Sequence, residues 1–170
     1  MKKLLFLILS ASVLSISTFA QDKGPARPAD IGESEFDNFK NSSFNVLEES
    51  NKLDANLKHI DSEIKEYSGV MSTVSTDKIK GHYKALTGVK SEVETINSNI
   101  AELDNKGKDM VANASKVTPK MKSIKATANT KKAVEGLDVS KNNMKSITQM
   151  LQDDLKLLGG ELESRGEPIE

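Results

Sequence analysis

An unbroken heptad ladder runs through residues 36–74 and limits what this chain can fold into. With Phe36 as position a, the residues at heptad positions a and d, which form the seam, recur in alternating steps of three and four residues for more than five heptads. A narrow seam of this length is typical of a helix that packs against partner helices. A similar ladder spans Ile79 to Val117, and a less regular one follows Pro119. The pattern therefore predicts an all-α fold.

The ladders define three helical arms, at residues 34–74, 76–117 and 119–160. Ser75 is expected to cap the second arm, and Pro119 suits the first turn of the third. Each arm has about 41 residues, which corresponds to roughly 60 Å of helix. Equal arms joined by short connections predict an elongated antiparallel three-helix bundle, a coiled coil with up-down-up topology. In this topology the first and third arms run parallel.

The third ladder changes frame inside residues 126–130. Met121, Ile124 and Ala128 continue the frame of the second arm. The later apolar residues lie in another frame, and they are Leu137, Met144, Ile147, Leu151 and Leu158. A change of frame indicates a local change of supercoil, a kink or a true break. We expect a bend within one helical arm, which ends at Gly159-Gly160.

The first twenty residues have the pattern of a cleaved signal peptide. Two lysines precede the apolar run Leu4–Phe19, and cleavage is expected before Gln21. The alternative, an uncleaved membrane anchor, is disfavoured because serines interrupt the run and a membrane span needs roughly 20 apolar residues. The lysine-rich composition is typical of a bacterial protein, so export to the periplasm or the extracellular space is predicted.

Two segments flank the predicted bundle, which occupies residues 34–160. Residues 21–33 are rich in Gly and Pro and are expected to form a flexible leader. Residues 161–170 are expected to form an acidic flexible tail. No membrane span is predicted in the mature chain.

The composition argues against several functions. The chain has no Cys and no Trp, and its net charge of −1 becomes −3 once Lys2 and Lys3 are removed. A nucleic-acid-binding protein usually has a strongly basic face, so nucleic acid is not expected as a partner. The sequence contains no nucleophile elbow, phosphate loop, Cys nucleophile or zinc signature. We therefore expect neither an enzyme nor a bound cofactor or metal.

The chain has only two histidines, His59 and His82. His59 lies one helical turn before Glu63 and could share a metal with it, but two ligands do not complete a site. A surface position is the better interpretation of His59. His82 falls on the seam near the first hairpin, where it is expected to pack; a pH-sensitive role is the alternative.

Two clusters are candidate partner-binding surfaces. The first consists of five lysines in the third arm, namely Lys120, Lys122, Lys125, Lys131 and Lys132. The alternative is that these lysines pair internally, because residues 30–66 are acidic, residues 120–145 are basic, and the two stretches would lie side by side. The second cluster holds Phe36, Phe39 and Phe44, which form either a buried plug at the end of the bundle or an exposed docking patch.

These features predict an exported non-catalytic helical bundle that acts as a protein-binding or structural module. Its expected partner is another protein or a second copy of the chain. The export signal, size and helical arms resemble in architecture the periplasmic holdase chaperones with tentacle-like coiled-coil hairpins, so a holdase is one alternative. The acidic mature chain and the lack of an alternating strand argue against it. Reversible binding of lipid is a second alternative, which the narrow apolar stripe disfavours.

Overall fold

The computed structural model of the protein describes residues 24–169, and the predicted signal peptide, residues 1–20, lies outside them. The described residues contain no β-strand, and the prediction of an all-α helical bundle is confirmed. A single 3-10 turn, Met71–Thr73, precedes the second helix. The α-helices are α1 (Ser34–Ser68), α2 (Thr76–Gly88), α3 (Lys90–Ala114) and α4 (Lys120–Ser164).

Helices α1 and α4 run parallel along an extensive interface. At one end, Nζ of Lys122 lies 2.7 Å from the carboxylate of Glu33, the residue before α1. Further along, Nδ2 of Asn143 donates a hydrogen bond of 2.8 Å to Oδ1 of Asn51. Residue numbers therefore rise together on the two helices, as expected for the first and third arms of an up-down-up bundle.

Helix α3 runs antiparallel to α4. Nζ of Lys141 on α4 lies 2.6 Å from the carboxylate of Asp104. One turn later on α3, a β-carbon placed on Gly107 would lie 3.4 Å from the side chain of Val134. Residue numbers thus fall on one helix while they rise on the other. The three arms pack with their apolar ladders facing a shared core.

The second arm is broken by one residue. Helix α2 ends at Gly88, and α3 begins at Lys90 after Val89, whose φ of −89° and ψ of −5° stay in the right-handed region but depart from the values at the centre of an α-helix. A continuous arm was expected from the ladder alone. Glycine lowers helix propensity by about 1 kcal/mol relative to alanine, and here it precedes a β-branched residue that is also unfavourable in helices.

The connection between α1 and α2 follows signals in the sequence. Helix α1 stops at Ser68 and Gly69 serves as its C-cap, so the first arm ends before residue 74. Ser75 caps α2 as predicted, because its hydroxyl accepts a hydrogen bond from the backbone N–H of Lys78.

Helix α4 passes through residues 126–130 without interruption. Its core-facing residues recur at steps of four and three from Ala126 onward, and the ladder includes Ala126, Thr130, Ala133, Leu137, Ser140, Met144, Ile147, Leu151, Asp154 and Leu158. The change of frame in the sequence therefore means that the apolar residues before and after it lie on different faces of one helix. It does not mark a break in the helix.

The predicted end of the third arm at Gly159-Gly160 is wrong. Helix α4 continues to Ser164, so the first part of the expected acidic tail is helical. Leu158 and Leu162 are both buried, and their packing outweighs the low helix propensity of the two glycines. A β-carbon placed on Gly159 would lie 3.5 Å from the ring of Tyr83, so the glycine permits close packing against α2.

The described part of the leader, residues 24–33, makes specific contacts with the bundle. The backbone oxygen of Pro28 accepts a hydrogen bond of 2.9 Å from Nζ of Lys40, whose side chain is only 1% exposed. The backbone oxygen of Ala29 accepts a bond of 2.8 Å from Nδ2 of Asn129 on α4. These contacts place the segment across α1 and α4.

Candidate functional site

The five predicted lysines occupy the first four turns of α4 but do not share one environment. Lys122 forms the ion pair with Glu33 and is half-buried. The other four are exposed and have no ion pair or side-chain hydrogen bond within residues 24–169. We call these four residues the lysine surface, and they are Lys120, Lys125, Lys131 and Lys132.

The expected electrostatic match between the first and third arms forms only in part. Lys122 bridges to Glu33, whereas Lys141 is bound by Asp104 of α3. The acidic side chains of α1 pair mostly with other groups: Lys58 bonds to Asp54 on its own helix, and Arg27 of the leader bonds to Glu48. No acid occurs between residues 120 and 132. The lysine surface is therefore left without neutralising partners in the described part of the chain.

Two large apolar side chains lie exposed among these lysines. Met121 is 67% exposed and Ile124 is 56% exposed, the two highest values among the large hydrophobic residues of the described chain. Ala128, one heptad after Met121, is also exposed. Residues 121, 124 and 128 form what we call the apolar ridge. An apolar surface rimmed by polar groups is a common mark of an interaction site.

The three phenylalanines do not form a docking patch. Phe36, Phe39 and Phe44 are 6%, 5% and 2% exposed, so all three belong to the core. The ring of Phe39 points at Gly107 of α3, while the guanidinium of Arg27 lies 5.7 Å from the ring centroid of Phe44. The structure thus excludes an exposed patch and matches the alternative of a buried plug, since large aromatic rings gain most from complete burial.

A hydrogen-bonded network of Tyr67, His82 and Glu63, which we call the tyrosine–histidine network, lies at the opposite end of the bundle. The hydroxyl of Tyr67 on α1 is 2.6 Å from Nδ1 of His82 on α2, and Nε2 of His82 is 3.0 Å from Oε2 of Glu63. Nε2 of His59 is 3.6 Å from the other carboxylate oxygen of Glu63. The tyrosine and His82 rings are also stacked, with centroids 5.8 Å apart.

The donors and acceptors of the network can be assigned from chemistry. An ionised carboxylate only accepts hydrogen bonds, so Nε2 of His82 carries the proton that is donated to Glu63. In neutral imidazole Nδ1 is then an acceptor, and the Tyr67 hydroxyl donates to it. Burial, together with the nearby carboxylates of Asp154 and Glu63, raises the pKa of Tyr67. The hydroxyl is therefore held neutral, which suits a structural link and not a nucleophile.

Asp154 is the most perturbed acid of the bundle. Its side chain lies in an open groove of about 580 Å³ between α1 and α4. Burial raises its pKa to about 6, and the neighbouring carboxylates of Asp61 and Asp153 add to the shift. Oδ2 of Asp154 has no hydrogen-bond partner within residues 24–169. These groups make this part of the groove sensitive to pH.

Across residues 24–169, no cluster of three or more His, Cys, Asp or Glu side chains could hold a metal ion. The same residues contain no helix that is long and apolar enough to cross a membrane.

Two features of these sites could not be predicted from the sequence: the contacts of His82 and the exposure of the ridge. His82 was placed on the seam, but its link to Tyr67 and Glu63 joins two helices and depends on how they pack. The residues of the ridge, Met121, Ile124 and Ala128, were visible in a separate frame, yet the frame alone does not tell which face of the helix the bundle covers.

Comparison of the chain with family models, with curated proteins and with solved structures finds no match.

Proposed function

We propose that the protein is an exported, non-catalytic helical bundle that binds another protein through the lysine surface. The single observation that supports this proposal best is the set of four exposed lysines without ion-pair partners within residues 24–169. Like charges held close together on one helix repel one another, and an acidic partner would relieve that repulsion. Such a surface steers association with an acidic protein and fixes its orientation.

The remaining helices serve as the scaffold in this proposal. The lysines are carried by α4, the longest helix, whose inner face is buried against the other arms. Side chains on a packed helix keep fixed spacings, which favours a specific interface over diffuse attraction. The tyrosine–histidine network would then stabilise the far end of the scaffold.

The test is a charge reversal at Lys125, Lys131 and Lys132, each replaced by Glu. Lys122 is left unchanged because it holds Glu33. The tagged mature chain is used to capture proteins from an envelope extract at low and high salt. We expect the triple variant to lose the partners that the unmodified protein captures, and we expect that capture to weaken as salt rises.

A matched control reverses three exposed lysines outside the surface, Lys84, Lys90 and Lys156. This control changes the net charge by the same amount, and it should retain the partners. Circular dichroism should show equal helix content in both variants. Equal loss of capture in the two variants would show that net charge, and not the lysine surface, governs binding and would contradict the proposal.

Export is tested separately. Mass spectrometry of the protein from the cell envelope or medium should show a chain that begins at Gln21. Retention of residues 1–20 in the membrane fraction would instead support the uncleaved anchor.

A further inference from the structure

Helix α4 carries two heptad ladders on different faces. The inner ladder begins at Ala126 and is covered by the other helices. The outer one is the apolar ridge, residues 121, 124 and 128, which has the same alternation of three and four residues. At 3.6 residues per turn, the two ladders lie on nearly opposite sides of the helix. A seam with coiled-coil spacing thus faces away from the core.

The lysines occupy the positions that flank this outer seam. With Met121 at position a and Ile124 at d, Lys125 and Lys132 fall at e and Lys120 falls at g. Side chains at e and g lie beside the seam and form ion pairs with the partner helix in a coiled coil. Lys131 falls at d and closes the apolar part of the seam. The lysine surface and the ridge therefore form one pattern of about two heptads.

Resting on the proposed function, we infer that the protein partner presents an amphipathic helix whose apolar seam packs on Met121 and Ile124. Acidic residues at the e and g positions of that helix would pair with Lys120, Lys125 and Lys132. The surface covers residues 120–132 and is about 18 Å long, which matches three to four turns of a docked helix. The apolar contacts supply affinity, and the charges set orientation and partner choice.

The width of the ridge favours a helix as the occupant. Only one row of apolar side chains is exposed here, which is the narrow a/d stripe of a coiled coil. Helices that lie in a membrane surface present a broad apolar face instead. A second copy of the chain would bring the same four lysines to a symmetric interface, where they would repel one another. An acidic helix satisfies both the spacing and the charge.

The test uses a synthetic peptide of about three heptads with Leu at a and d and Glu at e and g. A scrambled peptide of the same composition keeps the charge but loses the seam. Binding of each labelled peptide to the mature protein is measured by fluorescence anisotropy. We expect the patterned peptide to bind at least about tenfold more tightly, because tenfold corresponds to about 1.4 kcal/mol and burial of two apolar side chains contributes at least that much.

Two variants locate the contact. Replacement of Met121 and Ile124 by Ser should remove the preference for the patterned peptide and leave weak binding of both peptides. Leu157→Ser, a change at another exposed apolar residue of α4, should keep the preference. Reversal of Lys125 and Lys132 to Glu should weaken both peptides. This combination of results would establish a helix-docking seam.

Other results would overturn the inference. Equal binding of the two peptides, lost on lysine reversal, would leave the proposed function in place but remove the helical seam. If neither peptide binds but capture from the extract still depends on the lysines, the proposed function likewise stands and the helical seam is excluded. Binding to vesicles of anionic lipid that requires Met121 and Ile124, with no preference between peptides, would assign the ridge to a lipid surface. A dimer in sedimentation that the serine variant dissociates would assign it to a second copy.

Discussion

A β-carbon placed on Gly107 of α3 would lie 3.3 Å from Cζ of Phe39 on α1. The absent side chain leaves the space that the phenylalanine ring fills, so the two helices approach closely at this point. This contact is long-range in the sequence and sets the packing of the end at which the lysine surface lies.

The first prediction compares alanine at two helical glycines. Gly81 lies inside α2 with open space around it, so Gly81→Ala should stabilise the protein by about 1 kcal/mol. Gly107→Ala has the same propensity gain but crowds Phe39, and it should gain clearly less. Gly107→Leu should destabilise by about 1–3 kcal/mol through overpacking. Urea unfolding provides the measurement, and equal gains at the two alanines would show that α1 and α3 are loosely packed.

The second prediction concerns pH. The raised pKa of Asp154, about 6, means that the folded protein binds this proton more tightly than the unfolded chain does. The free energy of unfolding should therefore fall as pH rises from about 4 to 6, and this group should make the protein less stable at pH 7 than at pH 5. The charged groups around it are Asp61 and Lys65 of α1, Asp153 of α4 and His82 of α2.

Asp154→Asn removes the ionisation and keeps the size of the side chain. The variant should melt a few degrees higher than the unmodified protein at pH 7, and the difference should shrink at pH 5. Asp153→Asn on the exposed side of α4 should show a smaller effect. Scanning calorimetry at both pH values measures the two melting temperatures. A difference in melting temperature that is larger at pH 5 than at pH 7 would contradict a raised pKa of Asp154.

The third prediction concerns the tyrosine–histidine network. Tyr67→Phe removes the hydroxyl that donates to His82 and leaves Nδ1 unpaired, which should cost about 1 kcal/mol. Tyr83 is also partly buried, but its hydroxyl makes no hydrogen bond within residues 24–169, so Tyr83→Phe should be nearly neutral. A double-mutant cycle of Tyr67→Phe with His82→Ala should give a coupling of about 0.5 kcal/mol or more. Strict additivity would show that the two side chains do not interact.

The start of α1 illustrates what the sequence predicts and what it leaves open. The ladder from Phe36 and the onset of helix near Ser34 were predicted correctly, because both depend on local spacing. The bonds that hold the chain before α1 were not predicted: the carboxylate of Asp37, inside the first turn, accepts hydrogen bonds from the backbone N–H groups of residues 31–33. Lys40 likewise reads as a surface residue in the sequence, yet it is buried because the leader folds over it.

At the candidate site, too, features that depend on local spacing were predicted and features that depend on tertiary contacts were not. The clustering of lysines in the third arm located the lysine surface, and the frame of Met121 and Ile124 was visible in the sequence. Which of two faces of α4 the bundle covers depends on contacts with α1 and α3, which no local pattern encodes. The phenylalanines had two interpretations for the same reason, and the burial of all three, with Phe39 packed against Gly107, separates them.

The fourth prediction concerns Arg165, whose guanidinium donates to the backbone oxygens of Met71 and Val74 and to the hydroxyl of Thr76. Arg165→Ala should destabilise the protein by about 1–3 kcal/mol, since partly buried carbonyl groups lose a charged donor. Arg165→Lys should recover only part of this loss because an ammonium cannot reproduce the planar fork. Thermal unfolding gives the measurement, and full recovery by lysine would show that charge alone matters.

The contacts of Arg165 also have a consequence for the order in which parts of the protein fold. Met71 and Arg165 are 94 positions apart, so the hydrogen bonds that Arg165 donates to the turn between α1 and α2 cannot form until nearly all of α4 has been synthesised and has docked. Before that point the link between Tyr67 and His82 can already join α1 to α2, but the carbonyl groups of Met71 and Val74 lack the Arg165 donor. We expect this turn to close last during folding and to exchange its amide hydrogens first in the native protein.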